Sequence, residues 1–221
     1  MRNAFHDDLD RVSDQLVLMT RMVGVAIERA TEALVNADLG IAESVIAADD
    51  DIDTVRREVD DLAVDLLARQ QPVATDLRMV VTAMHMASDI ERMGDLARHI
   101  AKIARMRYPK LAVPEVVLPN IKSMSECAID LAKQTGAAID SKDVHAALEI
   151  ARSDDRMDDL HRQIFAALHD EGWDQPTETA VDMTLLSRYY ERFGDHAVAV
   201  ANRIVYLVTG RYGDADEGLQ R

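Results

Sequence analysis

Apolar side chains recur along this chain at intervals of three and four residues. Leu9, Val12, Leu16, Met19, Val23, Ala26, Ala30 and Ala33 keep that step without a break, and so do Ile41, Val45, Ala48, Ile52, Val55, Val59, Leu62 and Leu66. At about 3.6 residues per turn each set falls on one stripe of an α-helix, the narrow seam that helices bury against each other in bundles. Helix punctuation divides the pattern. Asn36 to Gly40 ends the first helix, Gln70-Gln71-Pro72 the second and Tyr108-Pro109 the third, after which Pro109, Pro114 and Pro119 mark a linker. Beyond it, helices are predicted over 120–140, 143–171 and 177–209, with Gly172 to Pro176 as the second turn. Aromatic residues are only 4% of the 221, so little in the chain favours strands. The predicted fold is all-α: two tandem three-helix bundles, residues 1–110 and 111–221.

The two halves share more than their helix count. ERMGD at Glu91 to Asp95 returns as ERFGD at Glu191 to Asp195, one hundred residues later. Asp49 to Asp53 in the second helix has its counterpart at Asp154 to Asp158, an offset of 105, and a Gln-Pro turn follows each, at Gln71-Pro72 and Gln175-Pro176. A repeat this long indicates two similar units rather than a solenoid.

Antiparallel helices place residues equidistant from their connecting turn at one height, since both rise about 1.5 Å per residue. Asp53 with Glu91, and Asp49 with Asp95, are both centred on Pro72. Asp158 with Glu191, and Asp154 with Asp195, are centred between Asp174 and Gln175. Each half is therefore expected to gather four carboxylates from two helices into one patch. Four such oxygen donors suit Mg, Mn, Fe or Ca ions better than a thiolate-seeking metal. A solvated acidic face is the competing reading. His99 lies one turn beyond Asp95, and His161 lies on the Asp154/Asp158 face; each is a candidate further ligand or simply a surface histidine beside acids. Arg92 and Arg192 follow the motif glutamates by one residue, so their Cα positions are turned by about 100°. They are candidates for docking a partner or for pairing with a neighbouring helix.

With both ER-x-GD-x-A phrases, the acidic helix before each, Asp76-Leu77-Arg78 and the closing Ile204 to Gly210 in view, the whole chain resembles the PhoU family of phosphate-signalling proteins. The resemblance implies two three-helix bundles with E(D)-x-x-x-D motifs, which in some members hold iron, zinc or other metal ions, so Fe, Mn, Mg or Zn is the expected cofactor set. Glu91, Asp95, Glu191 and Asp195 match the motif, as do Asp49, Asp53, Asp154 and Asp158. Where the family commonly has His and then Asn after the GD, this chain has Leu96 and His99 in one copy and His196 and Ala199 in the other. The implied function is negative regulation of the phosphate-starvation response, between the ATPase of the phosphate ABC transporter and a sensor histidine kinase. Homodimerisation is left open.

Composition narrows the alternatives. A net charge of −15 and a pI near 4.8 repel phosphate backbones, so nucleic acid is not an expected partner. No apolar run approaches the roughly 20 residues of a membrane span, and Met1-Arg2-Asn3-Ala4-Phe5 does not read as a signal peptide. A cytoplasmic protein is expected, reaching the membrane only through protein partners. Cys127 reads as a buried apolar residue, no Gly-rich phosphate loop is present, and no catalytic constellation emerges. A metal-storage or metal-dependent hydrolytic helical protein is the alternative function. Di-iron bundles use Glu-x-x-His, however, and the residues three beyond Glu91 and Glu191 are Gly94 and Gly194. The expectation is therefore a regulator and not an enzyme.

Overall fold

A computed structural model describes residues 2–211, with side chains from Asp7 onward. It contains six helices: α1 Arg2–Asn36, α2 Leu39–Gln70, α3 Thr75–Arg107, α4 Leu118–Ser141, α5 Val144–Leu168 and α6 Thr177–Thr209. Among the described residues there is no strand. Residues 212–221, at the end of the second expected unit, lie outside the described residues.

Local chemistry sets the helix ends, and it repeats. The carboxylate of Asp38 accepts from Ile41 N–H at 2.9 Å to cap α2, and that of Asp143 accepts from His145 N–H at 2.8 Å to cap α5. These caps are again 105 residues apart. Gln71, with φ of 46°, turns the chain out of α2 in the left-handed region, and Lys142 does the same after α4. Helix α5 stops at Leu168, three residues short of the expected 171. There the Asp170 carboxylate accepts from Gly172 N–H at 2.7 Å, a local bond that competes with continued helix.

Helices α1, α3, α6 and α4 touch in a closed ring, with α2 laid across α1 and α3, and α5 across α4 and α6. The two units consequently share one continuous apolar core. Equivalent helices meet antiparallel. Along α1 and α4, a Cβ on Gly24 would stand 3.5 Å from Ala132, and one on Gly136 would stand 2.6 Å from Thr20 Oγ1, so the second glycine is needed for the close approach. Along α3 and α6 the contact is polar. Arg107 grips Asp182 through Nε at 2.5 Å and Nη2 at 3.0 Å and also meets Glu178. Asp89 accepts from Arg203 Nε at 2.6 Å and faces His196 Nδ1 at 3.2 Å. Burial opposes the charge on Asp89, but these two partners outweigh it and hold its carboxyl below the usual range. Beside this seam Tyr190 of α6 is fully buried, with its hydroxyl 2.6 Å from Oγ1 of Thr31 on α1.

The seam of α2 is shifted by one residue at three places: Ala42, Asp49 and Ala63 are buried where Ile41, Ala48 and Leu62 are expected. Ala48 is exposed, and Asp49, at 4% exposure, takes the buried place between Val45 and Ile52. A carboxylate thus occupies a core-facing position of the stripe.

Candidate functional site

Because Asp49 lies in the seam, it faces α3. Its Oδ2 stands 2.5 Å from Arg98 Nη1, a coulombic contact without hydrogen-bond alignment, while Arg98 Nη2 meets Asp95 Oδ1. One guanidinium thereby joins the two carboxylates that turn symmetry places at one height. Burial pushes the Asp49 carboxyl up, Arg98 opposes this, and Asp95, Asp53 and Asp50 add to the rise. Glu91 is also pushed up, first by burial and then by Asp95; Arg92 and Arg56 pull it down, and Asp53 from α2 raises it further. Asp53 and Asp95 thus each bear on both Asp49 and Glu91, with arginines interleaved.

Arg92 does not swing away as its Cα direction implies. Its flexible stem carries Nη1 back to Asp95 Oδ2 at 2.6 Å and Nε to within 3.6 Å of Glu91 Oε2. His99 points elsewhere, stacking on Tyr189 of α6 with ring centroids 5.3 Å apart. Its basicity is lowered, mainly by burial and then by Lys102 and Arg98.

The second patch has the same carboxylates and different company. Asp154 is pushed up to about 7, first by burial and then by Asp158, Asp195, Glu191 and Asp155. No cation appears among those influences. Asp154 Oδ1, Glu191 Oε2 and His161 Nδ1 are buried atoms without a hydrogen-bond partner among the described residues. Gly194 is what admits the Asp154 carboxylate to α6, since a Cβ there would lie 2.0 Å from Oδ1. Glu191 is raised by burial and by Asp195, and is relieved by Arg188, which pairs with its other oxygen, and by His161. His161 meets Phe165 edge-on at 4.9 Å. Asp158 and Asp195 are exposed, as is Arg192, which makes no ion pair among the described residues.

Among the described residues, no three His, Cys, Asp or Glu side chains form a ready-made metal cage. The donors of the second patch nonetheless fit a hard cation, which would satisfy the orphaned Asp154 and Glu191 oxygens. Those of the first fit poorly, because Arg98 already lies between Asp49 and Asp95. Sequence reasoning missed Arg98, Arg56 and Arg188. The signal for the first was present: Arg98 lies three residues past Asp95 on the motif face, and the matching residue of the other repeat is Val198.

Fold and site together define a two-repeat, six-helix protein with an acidic patch between the last two helices of each repeat. The chain belongs to the PhoU family: the PhoU domain matches residues 16–104 and again 121–204. It is 46% identical to the phosphate-specific transport system accessory protein PhoU homolog 2 of Mycobacterium tuberculosis, covering 96% of this chain and 100% of that protein. It is 43% identical to PhoU homolog 1 of Mycobacterium leprae, over 98% of this chain and 97% of the relative. Among solved structures, PhoU from Pseudomonas aeruginosa superposes with a TM-score of 0.83 at 28% identity, covering 94% of this chain and all of that one.

Proposed function

We propose that this chain is an accessory regulator of phosphate-specific transport. In this reading it is a non-enzymatic adaptor that represses the phosphate-starvation response by contacting the transporter ATPase and a sensor histidine kinase at the cytoplasmic face of the membrane. The observation that carries the proposal is full-length similarity, in both repeats, to proteins named as accessory to that transport system. The chemistry of the chain is compatible with it. The Cys127 thiol is buried and pushed up to about 11, so it is a poor nucleophile. No helix among the described residues is long and apolar enough to cross a membrane. Exposed Arg192 is a docking candidate, whereas Arg92 is engaged with its own helix.

A metal ion, with Fe, Mn, Mg and Zn as the candidates, belongs to the same reading. Asp154, Asp158, Glu191 and Asp195 would hold it. Its charge would neutralise the patch and tie α5 to α6, a structural use rather than a catalytic one.

The test is affinity purification of the tagged protein from phosphate-replete and phosphate-starved cells. The transporter ATPase and the kinase should co-purify, in amounts that change with phosphate status, because an adaptor must bind two states of its partner differently. Arg192→Glu should weaken that capture. Absence of both partners under both conditions, with the protein folded, would overturn the adaptor reading.

A further inference from the structure

We infer that Arg98 is the resident cation of the first patch, so that this repeat is closed to metal and uptake is confined to the second. The inference rests on the metal reading above and restricts it.

The two patches begin from the same four carboxylates and are neutralised differently. In the first, Arg98 spans Asp49 and Asp95, Arg92 takes the remaining Asp95 oxygen at 2.6 Å, and Arg56 lies close enough to Glu91 to lower its pKa. Three guanidiniums thus act on three of the four acids, Asp49, Glu91 and Asp95, with Arg56 also ion-paired to Asp60 at 3.2 Å. At the offsets that relate the repeats, Arg98 becomes Val198 and Arg56 becomes His161, while Arg192, the counterpart of Arg92, is exposed without an ion pair among the described residues. Among the described residues, Glu191 alone in the second patch has a side-chain ion pair, to Arg188, and Asp154 keeps a buried oxygen with no hydrogen-bond partner.

A guanidinium stays charged at any pH a cell reaches, so proton release cannot vacate the first patch. A metal entering there would have to break the contact to Asp49, whose side chain is 5% exposed, and leave Arg98, itself only 28% exposed, facing a like charge. Entry into the second patch displaces nothing comparable. The close packing at the two motif glycines follows the same division. A Cβ on Gly94 would meet the Ile52 side chain at 2.9 Å, whereas a Cβ on Gly194 would meet the Asp154 carboxylate. The first glycine makes room for core, and the second makes room for a ligand oxygen.

The test is Mn²⁺ uptake by chelator-stripped full-length protein, measured by equilibrium dialysis and elemental analysis, with helical circular dichroism as the folding control. Wild-type uptake should be lost in Asp154→Asn and untouched in Asp49→Asn. Arg98→Val should take up additional Mn²⁺, which is lost again when Asp49→Asn is added, and its melting temperature should fall in chelator and recover with Mn²⁺. Should Arg98→Val fail to fold, Val198→Arg decides, since a guanidinium supplied to the second patch should abolish uptake there. Wild-type uptake that depends on Asp49 as strongly as on Asp154 would overturn the inference and leave the metal reading intact, as would Val198→Arg binding normally. No uptake by wild type but uptake by Arg98→Val would remove the metal reading of the second patch while retaining Arg98 as the barrier. No uptake by either would overturn both.

Discussion

Replacing Asp154 with Asn should stabilise the metal-free protein at pH 8 and change it little at pH 4. The Asp154 carboxyl is raised from 3.8 to about 7, first by burial and then by four neighbouring carboxylates. The folded protein therefore keeps a proton that the unfolded chain releases near pH 4. Folding stability contributed by this group falls as pH rises from about 4 to about 7 and is flat above that. At about 1.36 kcal/mol per pH unit the full shift corresponds to about 4 kcal/mol. Asp154 is only partly buried, and solvent screening reduces this to about 2 kcal/mol. Asparagine keeps the shape beside Gly194 and removes the charge. Urea unfolding in chelator at pH 4, 5, 6, 7 and 8 gives the stability difference between variant and wild type. That difference should grow by about 2 kcal/mol in favour of the variant, mostly between pH 4 and pH 7. A difference independent of pH, or one moving against the variant at high pH, would refute the claim that burial and neighbouring carboxylates hold the proton on Asp154.

Arg107→Ala would leave Asp182, 3% exposed, without its bidentate partner, and should cost about 3 kcal/mol by urea unfolding; a loss below about 1 kcal/mol would mean that the clamp between α3 and α6 is solvated. Gly194→Ala gains about 1 kcal/mol of helix propensity but expels the Asp154 carboxylate, so stability should hold while Mn²⁺ uptake and the Asp154 pH dependence disappear; retained uptake would contradict the role given to this glycine. Gly94→Ala, by contrast, presses on the buried Ile52 side chain and should lose about 1 kcal/mol net, measured by the same unfolding experiment.

The six helices could be read from the chain because a buried stripe leaves its period in the sequence. Proline, glycine and capping aspartates mark where the period stops, as at Asp38 and Asp143. The pairing of carboxylates about each turn followed from the constant rise of two antiparallel helices. What the pattern hid were choices made by neighbours. Ala48 and Asp49 both fit a three-four step, and the step alone does not say that the acid is the buried one, set against the guanidinium of Arg98 on α3. His99 follows the motif by one turn, yet Tyr189 on the other repeat captures its ring. Arg92 illustrates the limit of reasoning from Cα directions, because its head group lies several bonds from the helix axis and settles wherever charge is nearest. The unlike character of the two patches was visible at Arg98 and Val198, but only to a comparison of repeats position by position. The early end of α5 is marked by local bonds, from Gly172 N–H to the Asp170 carboxylate and from Trp173 N–H to the Asp170 carbonyl, which leave a weaker trace in sequence than a proline.

The functional claim is tested most directly by a phosphate-starvation reporter in a strain deleted for this protein and for any second copy of its gene, grown in abundant phosphate. A repressing adaptor predicts that the reporter is expressed as though phosphate were scarce, and that the wild-type chain silences it again. A reporter that stays silent in the deleted strain and still responds normally to phosphate withdrawal would contradict the adaptor role and favour the alternative of a metal-storage or metal-dependent hydrolytic protein.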